Sequence, residues 1–229
     1  KNDLLHFHLH LSKVTRRLKG KLFIFGSYMY GGLLITAASH SIDSIFIGSL
    51  EGLPKVATFT IAKYFSEIVQ APYRAFNAIA APIIAGAWKD KDYRLLNTLY
   101  KKTSINQLIA SVFVFSVIWI NLDLILSWIG EDFKEAKMVF LLLGLSRIVD
   151  LGSGMNNEIL GSSNHWRFNF ISTIVLMALF IPLNYILLKQ FGIYGSALAN
   201  LLAFFLYNFV RFLFIWFKYK MQPFSKKTL

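Results

Sequence analysis

The chain has 229 residues, of which 55% are hydrophobic and 16% aromatic, and its mean hydropathy is +0.52. Long apolar runs in such a composition exclude an ordinary soluble domain and predict an integral membrane protein. The absence of cysteine excludes disulfides and cysteine nucleophiles, and the formal net charge of +12 would favour a nucleic-acid partner only in a soluble protein.

Six segments of the chain are long and apolar enough to cross a bilayer, which takes about 20 mainly apolar residues. The connections between them are short, so successive helices are expected to lie antiparallel in one bundle. The sequence therefore predicts an all-α fold, a polytopic bundle of six transmembrane helices. The predicted spans are about 22–41, 56–81, 103–122, 136–160, 168–188 and 193–217.

Lysine and arginine fall mainly on one side of this arrangement. Residues 1–21, the connection 82–102 and the tail 218–229 are basic, whereas the opposite connections are mixed or acidic. By the positive-inside rule, both ends of the chain are predicted to be cytoplasmic. We interpret 1–21 as a cytoplasmic linker, 22–217 as the bundle and 218–229 as a basic tail. The charge is then a topology signal, and a nucleic-acid partner is set aside.

The connection 82–102 is also predicted to continue the second span as an amphipathic cytoplasmic helix. Farther along, the aromatic run 202–217 is interpreted as lipid-facing helix surface. A run of three alternating histidines, His6, His8 and His10, has no carboxylate or cysteine beside it, so no metal site is predicted.

The second predicted span carries five polar residues that share one face. Because helical residues are about 100° apart, all five lie within about 40° of Lys63. A central charge costs about 2.5–3.5 kcal/mol on insertion scales, so such residues usually face a wet cavity or a partner. We interpret this face as a cavity lining, and structural pairing such as Lys63–Glu67, or snorkelling of Lys63, is the alternative. The five residues are Lys63, Glu67, Gln70, Arg74 and Asn77.

The fourth predicted span repeats the pattern. Relative to Arg147, Asp150 lies at about −60° and Glu158 at about +20° of a continuous helix. An Arg147–Asp150 ion pair is again the structural alternative. Glycines between these residues leave room for a ligand or a close helix, and Asp43 stands at the outer end of the first span.

Four stretches of the chain, in order, resemble one family of membrane proteins. They are SIDSIFIGSLEGLPKVATFTIAKYF (41–65), RAFNAIAAPIIAGAWKDKDYRLLNTLYKK (74–102), GLSRIVDLGSGMNNEILGSSNHWRFN (144–169) and PLNYILLKQFGIYGSALANLLAFF (182–205). The family is the O-antigen and polysaccharide flippase branch of the multidrug/oligosaccharidyl-lipid/polysaccharide exporter superfamily. The matching residues are Asp43, Gly48, Asn184, Gly192, Ile193, Gly195, Ala197 and Ala199.

The resemblance implies that the chain is the second six-helix lobe of a MATE-like two-lobe transporter, without its first lobe. The activity it implies is the flipping of undecaprenyl-pyrophosphate-linked oligosaccharide across the bacterial cytoplasmic membrane for surface polysaccharide synthesis. The implied partners are this lipid-linked oligosaccharide, membrane lipids and the first lobe. The chain does not begin with methionine, and we expect it to be part of a longer protein.

The resemblance also implies roles for the polar residues of the second and fourth predicted spans. Cations would bind phosphate, amides would bind sugar hydroxyls, and carboxylates would balance charge or couple transport to H⁺ or Na⁺; no other cofactor and no metal is expected. The substrate-binding candidates are Lys63, Gln70, Arg74, Asn77, Arg147, Asn156 and Asn157, and the coupling or charge-balancing candidates are Asp43, Glu67, Asp150 and Glu158.

Two other functions remain open at this point. A multidrug or small-molecule cation antiporter would share the fold, but its cavity should be rich in carboxylates and aromatics rather than in Arg and Lys. A membrane-embedded polysaccharide polymerase or glycosyltransferase would need a sizeable loop with positioned acids or histidines. The connections here are too short for that, so we predict that the chain is not an enzyme.

Overall fold

The computed structural model describes residues 13–224, with side chains from residue 18 onward except those of residues 35, 36 and 38–40. His6, His8 and His10, most of the predicted linker and the last five residues of the predicted tail lie outside this range.

The described part of the chain is helical almost throughout and contains no strand, which confirms the predicted all-α class. A short 3₁₀ turn at Glu131–Phe133 separates the fourth helix from the fifth. The helices are α1 (Lys13–Leu50), α2 (Leu53–Val69), α3 (Ala71–Lys89), α4 (Tyr93–Ile129), α5 (Ala136–Gly152), α6 (Asn156–Gly161), α7 (Trp166–Phe191) and α8 (Ile193–Tyr219).

The six predicted spans correspond to these helices in two different ways. Among the described helices, α4, α7 and α8 are each long and apolar enough to cross a membrane, with 37, 26 and 27 residues. The first predicted span lies within α1, whereas the second is divided between α2 and α3 and the fourth between α5 and α6. The chain is thus a helical membrane bundle in which two predicted spans are discontinuous, and their full passage through the bilayer stays a prediction.

The first discontinuity lies at Gln70. Its N–H bonds to the carbonyl of Glu67, and its own carbonyl accepts the N–H of Tyr73, both at 3.1 Å and both with the tighter three-residue spacing. Pro72, in the first turn of α3, has no N–H and would clash with a carbonyl four residues earlier, so a continuous helix cannot pass through it undistorted.

The second discontinuity lies at Gly154, whose φ of +65° is in the left-handed region. A Cβ at this position would meet the backbone of Ser104 on α4 at 3.1 Å and its Oγ at 2.2 Å. Gly152, two residues earlier, similarly faces Leu108 of α4 at 3.1 Å. The glycines of the fourth predicted span therefore accommodate a close helix, as small residues do in membrane bundles.

The predicted continuation of the second span over 82–102 is correct only as far as Lys89. α3 ends at Lys89, and the turn that follows places Lys91 at φ +57°. Asp92 then caps α4 by accepting the N–H of Leu95 at 2.9 Å, a strong start signal for a new helix. Residues 93–102 are consequently the first turns of the helix that contains the third predicted span.

The core of the bundle lies around α5, which packs against α2, α4 and α8. Phe140 of α5 is fully buried and stacks on Phe115 of α4, with ring centroids 5.3 Å apart. On the other side, α7 packs against both α1 and α8. The short hairpin between α7 and α8 turns at Gly192, which has a φ of +58°.

Gly195, in the first turn of α8, fixes how closely this hairpin can fold. A Cβ there would lie 1.9 Å from the carbonyl oxygen of Leu187 and 2.9 Å from the nitrogen of Leu188. Both are backbone atoms, so no side-chain rotation relieves the clash. The carbonyl of Leu187 occupies the space that any other residue would need.

We expect Gly195→Ala to lower stability by about 1–3 kcal/mol, the usual range for overpacking a tight contact. The measurement is the midpoint of thermal unfolding of the intact protein in detergent. Gly86→Ala is the matched control, because Gly86 is also helical but has no atom within 4 Å of a built Cβ. Equal midpoints for the two variants would show that the α7–α8 hairpin does not need glycine.

Candidate functional site

A buried carboxylate, Asp43 of α1, joins four helices at one point. It is 3% exposed, and its Oδ1 accepts hydrogen bonds from Asn184 of α7 at 2.8 Å, Ser196 of α8 at 3.0 Å and Asn200 of α8 at 3.1 Å. The ammonium of Lys63 on α2 lies 3.8 Å from the other carboxylate oxygen. Buried charges are retained when they are paired and hydrogen-bonded in this way.

A cavity of about 110 Å³ lies beside this carboxylate. Its wall combines charged, amide and hydroxyl groups with aliphatic and aromatic side chains, which is the usual composition of a small-molecule site. α1, α2, α5, α7 and α8 all contribute to it. The lining residues are Asp43, Lys63, Leu143, Arg147, Thr173, Leu176, Phe180, Asn200, Ala203, Phe204 and Tyr207.

Arg147 of α5 gives this cavity its excess positive charge. The residue is 8% exposed, and its guanidinium lies 5.4 Å from the ring centroid of Phe204. No carboxylate within the described residues comes within 4.0 Å of it, so the Arg147–Asp150 pair considered from the sequence does not form. Lys63, as described above, lies 3.8 Å from Asp43. The wall thus carries two cations and one carboxylate.

A second group of polar residues lies where the two predicted spans are broken. Asp150 of α5 accepts hydrogen bonds from Asn208 of α8 at 2.9 Å and from Gln70, at the α2–α3 break, at 3.3 Å. Asn156 of α6 donates to Asn208 at 2.7 Å. Arg211 of α8 donates to Asn156 at 3.4 Å. These five residues form one continuous network, which we call the Asp150 network.

Arg211 is the cation of this network, and it is only 2% exposed. Its guanidinium lies over the ring of Tyr207, 3.8 Å from the centroid, and its Nε donates to Ser172 of α7 at 3.2 Å. A guanidinium held over an aromatic face and by hydroxyl and amide acceptors is stabilised without a directly contacting carboxylate. Arg211 therefore ties α8 to α6 and α7.

The discontinuous helices are also joined to each other at Glu158 of α6. Tyr73 of α3 donates its hydroxyl hydrogen to this carboxylate, and Asn157 donates to the same oxygen at 3.3 Å. Asn157 in turn accepts from Asn169 of α7 at 3.1 Å. The contacts Gln70–Asp150 and Tyr73–Glu158 thus connect the broken second span to the broken fourth span.

The structure brings together most, but not all, of the residues singled out from the sequence. Arg74 is exposed on α3 and contacts neither the cavity nor the Asp150 network, and Asn77 and Glu67 are half-buried outside both. Their predicted roles remain predictions. At the cavity lie Asp43, Lys63 and Arg147, and in or beside the network lie Gln70, Asp150, Asn156, Asn157 and Glu158.

The interpretation of the aromatic run 202–217 as lipid-facing surface is wrong for one face of α8. On a helix, Ser196, Asn200, Tyr207 and Arg211 lie within about 60° of one another, so a stripe of polar groups runs along it. That spacing was readable in the sequence among the phenylalanines. The partners that the sequence interpretation missed are Asn184, Ser196, Asn200, Tyr207, Asn208 and Arg211.

The comparison with known families decides the class of this protein. The family model described as MatE matches residues 30–186, more than half of the chain and from α1 into α7. The chain belongs to the MatE family. MatE proteins are membrane transporters of the wider exporter superfamily that the sequence resembles, which argues against the polymerase alternative.

One curated relative of this MatE chain is the Protein DETOXIFICATION 49 of Arabidopsis thaliana. The two are 26% identical over 189 residues, an alignment that covers 80% of this chain and 37% of the plant protein. The chain therefore spans little more than a third of the length of that relative. No solved structure matches the chain significantly. The comparisons thus identify the family without reaching the flippase branch.

The ion pair at the cavity can be tested by a double-mutant cycle. Removing one partner of a buried pair leaves the other charge uncompensated and typically costs about 3–5 kcal/mol, so Asp43→Asn and Lys63→Met should each destabilise strongly. The double variant should lose less than the sum of the two. Thermal or denaturant unfolding of the intact protein in detergent measures all three.

Asp123→Asn serves as the control for this cycle, because Asp123 pairs with Lys137 at an exposed helix end. Asp123→Asn should lower the free energy of unfolding by no more than about 1 kcal/mol. Strict additivity of the Asp43 and Lys63 changes would contradict the pairing.

Proposed function

We propose that this chain is one lobe of a two-lobe transporter that flips an amphipathic lipid with an anionic head, namely undecaprenyl-pyrophosphate-linked oligosaccharide, across the bacterial cytoplasmic membrane. The observation that carries the proposal is the guanidinium of Arg147, buried on a cavity wall with no described carboxylate within 4.0 Å. Such a group is a binding site for phosphate, because its planar donors match phosphate oxygens.

The need for a polar cavity follows from the chemistry of the substrate. A pyrophosphate-linked sugar cannot cross hydrocarbon, because its charges and hydroxyls would lose their hydrogen bonds to water. Arg147 and Lys63 supply cations, while Asn200, Thr173 and Tyr207 supply further hydrogen-bonding groups for the phosphate oxygens. The lipid tail stays in the bilayer while the head crosses through the protein.

The size of the cavity supports a role for the first lobe. At about 110 Å³ it is smaller than the 300–1,000 Å³ of typical ligand sites, so it holds one phosphate-sized part of the head. The remaining wall would come from the first lobe across the central cleft. Arg74 and Asn77 would then face that cleft, in keeping with the partial exposure of both side chains on α3.

Movement between the inward-open and outward-open states would use the discontinuous helices. Transporters of this general kind place their sites at broken helices near the midplane and work by rocking one lobe against the other. Here α2–α3 and α5–α6 break next to the Asp150 network, which connects both breaks. Hydrogen bonds of this network would be exchanged as the lobe rocks.

Coupling to an ion gradient would act on the buried carboxylates. Binding of H⁺ or Na⁺ at Asp43 would weaken its attraction for Lys63 at 3.8 Å and release that ammonium to the substrate. Glu67, Asp150 and Glu158 are the other candidates for this role. The membrane potential supplies about 2.3 kcal/mol per charge per 100 mV to such a step. With both chain ends cytoplasmic, Asp43 would lie toward the outer leaflet.

A second candidate function is the export of organic cations. The name of the plant relative, a DETOXIFICATION protein, favours it, and so does the presence of a carboxylate with aromatic neighbours in the cavity. Asp43 and the rings of Phe180, Phe204 and Tyr207 could hold a flat cation. The two cations on the same wall favour the anionic substrate instead.

The test uses the intact protein in proteoliposomes with fluorescent lipid-linked oligosaccharide. We expect Arg147→Met to slow flipping at least about tenfold, since a charge-assisted hydrogen bond contributes about 1.5–3 kcal/mol. Arg147→Lys should retain part of the rate. Arg167→Met is the control, because Arg167 is exposed at the start of α7 and does not line the cavity.

Undiminished flipping by Arg147→Met would overturn the role of this residue. If the wild-type protein exports ethidium but does not move the lipid-linked sugar, the proposal is wrong and the protein is a cation antiporter.

A further inference from the structure

A groove of about 540 Å³ lies between α4, α5, α8 and the segment that follows α8. It shares no lining residue with the cavity at Asp43 and Arg147, so it is a separate feature of the bundle. Its walls are mainly apolar. They are formed by Leu108 of α4, Ile148 and Val149 of α5, and Phe205, Phe209 and Phe212 of α8.

One polar group in this groove has no hydrogen-bond partner. Tyr100 of α4 is fully buried and lines the groove, yet its hydroxyl has no partner among the described residues. Gln107, about 20° away on the same helix, is also fully buried with both amide atoms unpartnered. Because nearly all buried polar groups in native proteins are paired, the Tyr100 hydroxyl points to a ligand in the groove.

A single bound water molecule is a poor partner for the Tyr100 hydroxyl in this groove. Buried waters usually make two to four hydrogen bonds. The amide group of Asn208, another polar group on the wall, is already engaged with Asp150, Asn156 and the carbonyl of Phe204. The groove is also far larger than a water site, and a long apolar wall with few polar groups suits an amphipathic molecule.

The charge around one end of the groove indicates which amphipathic molecule fits. Lys101 and Lys102 directly follow Tyr100 on α4, and Lys218 and Lys220 precede Gln222, which lines the groove. No aspartate or glutamate lines it within the described residues. Basic groups at one end of a crevice between membrane helices attract anionic lipid headgroups.

We propose that this groove is a binding site for one anionic phospholipid. An acyl chain lies along the phenylalanines of α8, the Tyr100 hydroxyl donates to an ester or phosphate oxygen, and the headgroup is held by Lys101, Lys102, Lys218 and Lys220. The lipid packs α8 against α4 and α5 over the surface that their side chains leave open. This site does not depend on which substrate the transporter moves.

Native mass spectrometry of the delipidated intact protein tests the site, with phosphatidylglycerol or phosphatidylcholine added in mild detergent. We expect one phosphatidylglycerol to be retained in preference to phosphatidylcholine. Tyr100→Phe should weaken that binding about tenfold, the value of one hydrogen bond to a charged group. Val149→Trp should abolish it by filling the groove.

Two controls match these variants. Tyr64→Phe removes a phenol that is 66% exposed on α2, and Ile109→Trp adds bulk to a residue that is 63% exposed beside Leu108 but outside the groove. Both should bind like the wild type. Tyr100→Phe keeps the aromatic ring, so it remains a decisive test even if Val149→Trp does not fold.

If the Tyr100 hydroxyl binds no lipid, Tyr100→Phe should give a different result. The phenylalanine variant would then be as stable as the wild type or more so, with unchanged lipid retention, because an unpaired buried hydroxyl would have been removed. Equal retention of both lipids, or displacement of the phospholipid by undecaprenyl phosphate at equal concentration, would also overturn the proposal.

Discussion

Neutralising the Asp43 carboxylate inside an apolar bundle is the constraint on which this architecture depends. An isolated charge at such depth is costly, so the donors of three other helices must reach it at once. Asn184, Ser196, Asn200 and Lys63 do so, and their positions fix α2, α7 and α8 relative to α1. With Asp43 satisfied, Arg147 on the facing helix is left as the charge that a substrate could use.

The breaks in the second and fourth predicted spans obey the same requirement, that every buried polar group finds a hydrogen-bond partner. Each break interrupts the regular hydrogen bonding of a helix, and inside a bilayer lipid would offer no replacement. Gln70 and Asn156 stand at the breaks and bond to side chains of other helices. Gly154 lets Ser104 of α4 pack directly against the second break. The Asp150 network therefore supplies side-chain hydrogen-bond partners at both breaks.

The fold class and the main polar residues could be predicted from the sequence, because hydropathy and helical spacing carry them directly. Lys63 and Arg147 share the cavity, as their positions on the two polar faces indicated. Asp43 could be noticed as a charge near a helix end, but its hydrogen-bond donors Asn184 and Ser196 lie more than 140 residues away on α7 and α8, and no local pattern pairs them with it.

Other features required the three-dimensional packing. The angular positions of Asp150 and Glu158 were calculated for an unbroken helix, and the left-handed turn at Gly154 changes them. The capping of α4 by Asp92 was readable as a start signal, yet the amphipathic pattern of 82–102 favoured one continuous helix. Arg211 was hidden in a run of aromatic residues whose hydrophobicity outweighs a single charge in any average over the segment.

The chain contains no cysteine, and this allows the most direct test of the central claim, that the wall carrying Arg147 faces a water-filled passage used by substrate. The measurement is the rate at which a membrane-impermeant maleimide labels Thr173→Cys in the intact protein, with any cysteine outside this chain replaced by serine, compared with Val139→Cys in the fully buried core. The account predicts rapid labelling of position 173, slowed by lipid-linked oligosaccharide, and none of position 139. Labelling of position 173 as slow as that of position 139, or unaffected by the lipid-linked sugar, would contradict it.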